Sequence, residues 1–240
     1  MKQTVLITGV TGLVGKALTK ALVKKGYKVI ILTRNAAGKD RHEQVQFAVW
    51  SVQKQQIDIT ALQQADYIIH LAGAGVVEKK WTAAYKKEIQ DSRTESSSLI
   101  YEALKNNENK VKAIISASAI GWYGADTEPV KPFTEDATAD DSFLGQTCKR
   151  WEAGIEPVTT LGKRLVKFRI GIVLSNDGGA LAEFKKRDDK WFAEVDPSFF
   201  GRKPTNNYCK WFHVCEHEAN HRGQITLVKK RLPGRESSGD

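Results

Sequence analysis

Two rhythms of apolar residues alternate along the first two-thirds of the chain. Short, nearly continuous apolar runs stand at TVLITG (4–9), YKVIILTR (27–34), VQFAVW (45–50), ADYIIHLAG (65–73), VKAIISASAI (111–120) and LVKFRIGIVLS (165–175), and each predicts a buried strand. Between the first two, Leu13, Val14, Ala17, Leu18, Ala21 and Leu22 share one face of a helix over 13–25, stopped by Gly26 behind two lysines. Helices are also predicted over 81–106 and 142–160. Strand and helix in alternation predict an α/β fold, a doubly wound parallel sheet with helices on both faces. The continuous apolar strands agree, because parallel strands are buried on both sides. Past about residue 186 the rhythm is lost, and only QITLVKKRL (224–232) resembles a regular element. The expected organisation is therefore a nucleotide-binding domain over 1–175 and a divergent C-terminal segment over 176–240.

Ligands of such sheets bind at the carboxyl ends of the strands. The runs of small residues fall there: 9–15 after the first strand, 71–75 after the fourth and 116–124 after the fifth. GVTGLVG places Gly9, Gly12 and Gly15 where strand gives way to helix, although glycine weakens either element. A helix N-terminus offers free N–H groups and partial positive charge, and glycine lets a pyrophosphate come close. Gly9, Thr11, Gly12, Leu13, Val14 and Gly15 are thus candidate contacts for a dinucleotide. The second strand ends in Thr33 and Arg34, where an acid would select NAD by bonding ribose hydroxyls. A guanidinium there can fork onto a phosphate, so NADP is the expected cofactor, with NAD the alternative. Leu71, Ala72 and Gly73 would let backbone pass close to the nicotinamide ribose. Ser116, Ser118 and Tyr123 lie at the tip of the fifth strand, where a hydroxyl can bond a substrate oxygen; Ser118 and Tyr123 are the candidate catalytic pair.

Composition narrows the setting. The hydrophobic fraction of 41% and charged fraction of 27% are those of an ordinary globular protein. No stretch reaches membrane-spanning length, and MKQTVLITG is too short for a signal-peptide core. With three cysteines and no secretory signal, a disulfide framework is not expected and a cytoplasmic setting is. The net charge of +9 is spread over separate short clusters without a nucleic-acid motif, so neither nucleic acid nor membrane is an expected partner. A dinucleotide and an unidentified small-molecule substrate are. Cys209, His213, Cys215, His217 and His221 crowd together, but their spacing fits no standard zinc module, and no metal site is expected.

Taken in order, these motifs resemble a known family. GVTGLVG, LTR, Trp50, LAGAG, WTAAYKKEIQDSR, SASAIGWYG, CKRWE and RIGIVLSNDGGAL are similar to the markers of the extended short-chain dehydrogenases/reductases, and within them of the atypical epimerase family. The resemblance spans residues 1 to about 186 and implies a Rossmann fold, NAD(P) binding and oxidoreductase or epimerase activity on an unknown substrate. The wider superfamily uses a Tyr-x-x-x-Lys pair on the helix after the fifth strand, the Tyr as general acid/base and the Lys lowering its pKa. Here Leu144 and Cys148 occupy those positions, and leucine cannot transfer a proton. The resemblance therefore implies either an epimerase-like enzyme with Tyr123 and Ser118 as substitutes, or a non-catalytic dinucleotide-binding protein. Family members run on through a SWIH segment into a substrate-binding domain, echoed here only by CKWFHVCEHE. A truncated or frame-shifted end, a diverged tail and a separate tail function are the three readings of this difference.

Overall fold

The computed structural model describes residues 2–37, 43–76, 78–125, 132–179, 181–182, 185–197 and 204–209. The chain divides into two compact units, 1–170 and 171–240.

In the first unit the strands are β1 (Thr4–Thr8), β2 (Lys28–Thr33), β3 (Val45–Ser51), β4 (Gln56–Ile57), β5 (Tyr67–His70), β6 (Ala113–Ala119) and β7 (Arg164–Ile170). They form one sheet in the order β4-β3-β2-β1-β5-β6-β7. Every pairing is parallel except the short β3–β4 ribbon. With that ribbon set aside, the six long strands run 3-2-1-4-5-6, the dinucleotide-binding order. The chain leaves β1 for β2 on one side and returns to β5 on the other, so the carboxyl ends of β1 and β5 flank the switch-point crevice.

The side-chain period of two sorts β1 onto two cores. Val5 and Ile7 join Val29, Ile31 and Ile69 beneath Leu18 and Leu22 of α1 (Leu13–Lys24). Leu6 faces the other way, with Ile30, Ile68 and Ile114, against Leu99, Ile100, Ala103 and Leu104 of α3 (Ala83–Asn106). Helices thus cover both faces, and the doubly wound parallel architecture read from the sequence is the observed one.

Several boundaries follow from local chemistry. Helix α3 starts two residues after the expected Trp81 because Thr82 caps it, its hydroxyl accepting from the Tyr85 N–H at 3.2 Å. Helix α4 (Phe143–Ile155) stops short of Thr160. Pro157 cannot donate to an α-helical bond, and the chain continues as a 3-10 turn over Glu156–Leu161. The short helix α2 (Ile59–Gln64), capped by Asp58, and strand β4 were not anticipated from the pattern. The last strand ends at Ile170 rather than at Ser175.

In the second unit, β8 (Leu174–Ser175) and β9 (Gly178–Gly179) form a hairpin. Helix α5 (Asp189–Ala193) is capped by Asp188, and β10 (Val195–Asp196) pairs antiparallel with β11 (Thr205–Asn206). The segment QITLVKKRL lies outside the described residues, as do His213, Cys215, His217 and His221. Among the described residues, no helix is long and apolar enough to cross a membrane, and no group of three His, Cys, Asp or Glu side chains is placed to hold a metal.

Candidate functional site

The three glycines of the first turn have different causes. Gly9 adopts φ +72°, and a Cβ there would come within 2.7 Å of the Leu71 carbonyl group. A Cβ on Gly15 would come within 2.6 Å of the Gly9 carbonyl oxygen and of Val10 Cα. Both contacts are with backbone, which cannot swing aside, so these two glycines are needed to seat α1 and the 71–72 strap on the turn. Gly12 differs. Its φ of −78° suits any residue, and its Cβ would meet only an ordinary contact at 3.5 Å. It is the N-cap of α1, is exposed, makes no side-chain cap, and no acidic residue occupies the first turn. Glycine is a good N-cap, but neither a tight contact nor a positive φ requires it there, and its missing side chain leaves the first-turn N–H groups open to an anion. The residues present therefore fit a dinucleotide pyrophosphate. Thr11 is exposed, and Leu13 and Val14 are half-buried, on the same turn.

The strap is held from below by a chain of hydrogen bonds. Thr8 Oγ1 accepts from the N–H groups of Leu71 (3.0 Å) and Ala72 (3.1 Å). Its own proton is then left for Nδ1 of His70 at 2.8 Å. That fixes the neutral Nε2–H tautomer, whose proton points to Ser96 Oγ at 3.2 Å and Ser97 Oγ at 3.4 Å. Ser96 in turn donates to the Ser92 carbonyl at 2.7 Å. His70 is fully buried, and burial lowers its pKa to about 4. Above the strap, the Ala74 N–H donates to Ser92 Oγ (3.0 Å) and Tyr85 donates to the Gly75 carbonyl (2.5 Å). Of the expected cofactor contacts, the structure thus brings Gly9 together with Leu71 and Ala72. Gly73 lies on the same strap, against the guanidinium of Arg93.

Continuing the β1–β2 register from Ile7–Ile31 puts Thr33 level with Gly9. Thr33 Oγ1 bonds the Asn35 carbonyl within the following turn, and Arg34 is exposed at its head.

The other end of the sheet holds a constellation that the residue types alone did not reveal. Ser118 of β6 and Arg169 of β7 are register partners. Glu152 comes down from α4 between them, accepting from Ser118 Oγ at 2.6 Å and from Arg169 Nε and Nη2 at 2.9 and 3.1 Å. Arg169 Nη1 donates to the Tyr123 hydroxyl oxygen and to the Glu135 carbonyl, both at 2.9 Å. Its guanidinium lies 3.8 Å from the Trp122 ring centre, and Tyr123 stacks on Phe133. Burial alone would raise the Glu152 pKa, but hydrogen bonds from Arg169 and Ser118 and the charges of Arg169 and Lys167 outweigh it and hold the carboxyl below its usual value. Burial opposes the Arg169 charge, yet Glu152 and Tyr123 raise its pKa above the usual guanidinium value.

The structure therefore does bring Ser118 and Tyr123 together, through Glu152 and Arg169. Leu144, Cys148 and Glu152 recur every fourth residue on one face of α4. Leu144 packs where a Cβ on Gly121 would be 3.1 Å away, and Cys148 Sγ lies 3.6 Å from the Ala119 carbonyl oxygen. Burial raises the pKa of that thiol. The face that carries the proton-transfer pair in the wider superfamily is here apolar for two turns and acidic in the third. The four-residue spacing of 144, 148 and 152 was the available signal for Glu152. For Arg169 there was none without the β6–β7 register.

Comparison with known proteins agrees with this fold. The sequence pattern of the NAD dependent epimerase/dehydratase family matches residues 5–147. An epimerase family protein of Staphylococcus saprophyticus is 36% identical over 181 residues, covering 75% of this chain and 58% of that protein. One from Mycobacterium tuberculosis is 32% identical, covering 75% and 57%. The chain thus spans less than two-thirds of the length of these relatives. Among solved structures, a nucleoside-diphosphate sugar epimerase from Corynebacterium glutamicum is 33% identical with a TM-score of 0.63, over 78% of this chain and 37% of that one. A human epimerase family protein crystallised with NADPH shares the fold at 23% identity and a TM-score of 0.59, over 77% of this chain and 59% of that one.

Proposed function

Given that the chain belongs to the NAD dependent epimerase/dehydratase family, we propose that it binds NADP(H) in preference to NAD(H) and acts on a carbonyl or alcohol. The observation that carries this reading is Gly12, a glycine with no structural need for glycine at an uncapped helix N-terminus. Gly9, Thr11, Gly12, Leu13, Val14 and Gly15 would hold the pyrophosphate, Thr33 and Arg34 the adenosine-side phosphate, and Leu71, Ala72 and Gly73 the nicotinamide ribose. When bound, the dinucleotide supplies a reversible hydride acceptor.

The chain's own residues would manage the proton. The Tyr123 oxygen accepts from Arg169, which leaves the phenolic proton free to go to a substrate oxygen. Arg169 is then a fixed cation beside the atom on which negative charge develops. Ser118 commits its proton to Glu152 and is 2% exposed, so its role is to orient by accepting. Glu152 keeps Arg169 aimed through two bonds.

The test is a titration of NADPH and NADH followed by thermal midpoint. NADPH should raise the midpoint at lower concentration than NADH, and Arg34→Ala should remove most of that preference. No rise with either cofactor refutes binding. Equal rises, unchanged by Arg34→Ala, refute the selectivity. Once a turnover assay exists, Tyr123→Phe should lower kcat by roughly 100-fold or more; unchanged turnover removes the proton assignment.

A further inference from the structure

Arg93 stands out among the charged groups of the first unit. It projects from α3 and is 8% exposed. Its neighbours are the Gly73 strap, where a Cβ would lie 3.1 Å from Arg93 Cζ, and the Trp151 ring, whose centre is 4.8 Å from Cζ. Among the described residues, its hydrogen bond is from Nη1 to the Ile89 carbonyl of its own helix at 2.8 Å. No carboxylate forms an ion pair with it among the described residues. Burial opposes its charge and lowers its pKa from the usual guanidinium value. The stacked indole adds to the imbalance, because Trp151 Nε1 is buried without an acceptor among the described residues.

A guanidinium carries five N–H donors, and a buried cation is costly unless it is paired. Arg169 shows what pairing looks like here: it is matched by Glu152 in a two-bond fork. Beside the Gly73 strap, by contrast, the buried cation has no carboxylate partner among the described residues.

We infer that Arg93 is a binding residue for an oxyanion group of the substrate, a carboxylate in the first instance, held beside the Gly73 strap. The inference rests on the dinucleotide reading above and adds the substrate class to it. A planar carboxylate fits the guanidinium fork, and a phosphoryl group offers the same acceptor chemistry with different shape.

The experiment uses the full chain saturated with NADPH. Sodium acetate and sodium phosphate are each titrated against sodium chloride at matched ionic strength, with thermal midpoint as the readout. Acetate should raise the midpoint above the chloride control by roughly 2 °C at tens of millimolar, and Arg93→Gln, which can still donate to the Ile89 carbonyl, should abolish the excess. A larger excess with phosphate than with acetate would overturn the carboxylate and assign a phosphoryl group. No excess with either anion on the unaltered chain, or the same excess in Arg93→Gln, would overturn the inference. If Arg93→Gln does not fold, Arg93→Lys decides: it keeps the charge and loses the fork, so the excess should shrink severalfold, and an undiminished excess would overturn the assignment. The NADPH response in the same samples separates the two proposals. Its absence condemns the cofactor reading, whereas an NADPH response without an oxyanion effect condemns this one alone.

Discussion

Two stretches of the parallel sheet's carboxyl edge are built on different principles. At the central β1–β5 end the site is backbone: a glycine turn, a strap of Leu71 to Gly73, and a helix terminus left open. At the β6–β7 end it is side chain: Ser118, Glu152, Arg169 and Tyr123, drawn from two strands, a helix and the 3-10 turn Ile120–Tyr123. A backbone site depends on where atoms are absent, and it tolerates wide changes in its neighbours. A side-chain site depends on charges matching, and removing one member leaves the others unpaired in a buried place.

The sharpest way to break the side-chain end is Glu152→Ala. It removes the carboxylate partner of the half-buried Arg169 and should cost about 2–3 kcal/mol, read by denaturant unfolding, while NADPH affinity of the folded fraction stays within a few-fold. A cost below about 1 kcal/mol would show that the fork is not what holds this end together. Next comes acid. The His70 pKa is about 4 in the fold, against 6.5 in the unfolded chain. Above pH 6.5 both states leave the imidazole neutral. As pH falls from 6.5 towards 4 the unfolded chain takes up a proton that the folded one refuses, so stability should drop by roughly 3 kcal/mol and then level off. His70→Asn should lack that step; an unchanged acid profile in the variant would remove His70 as its source. At the backbone end, Gly9→Ala combines an unfavourable φ with a Cβ pressed on the Leu71 carbonyl, and should cost about 2–3 kcal/mol together with the NADPH response. A fully stable, NADPH-responsive Gly9→Ala would contradict the close approach.

The sequence was legible where periodicity and glycine spacing carry the information. All six long strands, α1, and the GVTGLVG and LAGAG turns could be placed from it, because a buried parallel strand and a strand-to-helix glycine turn have short-range signatures. Helix α2 was too short for its period to show, although Asp58 three residues before Ala61 is a capping signal. The Ser118–Glu152–Arg169–Tyr123 constellation was half legible. Ser118 and Tyr123 stand together in SASAIGWY, but Arg169 reads as one charge within an apolar strand until the β6–β7 register sets it beside Ser118. His70 was hidden for the same reason: a polar residue in an apolar run declares itself only when its partners, here Thr8 and Ser96, are known in space. Arg93, in the polar run KKEIQDSRTE, reads as a solvated helix residue until the Gly73 strap and Trp151 are seen against it.

Gly12→Ala tests the central claim most directly. An alanine Cβ meets no tight contact there, and the small loss of N-cap quality offsets the gain from a stiffer unfolded chain, so unliganded stability should stay within about 0.5 kcal/mol of the parent. The midpoint rise on adding NADPH should nevertheless be lost or require at least about tenfold more cofactor, since one tenfold step is only 1.4 kcal/mol of displaced contact. An unchanged NADPH response in a folded Gly12→Ala would mean that the open helix terminus is not where the dinucleotide binds.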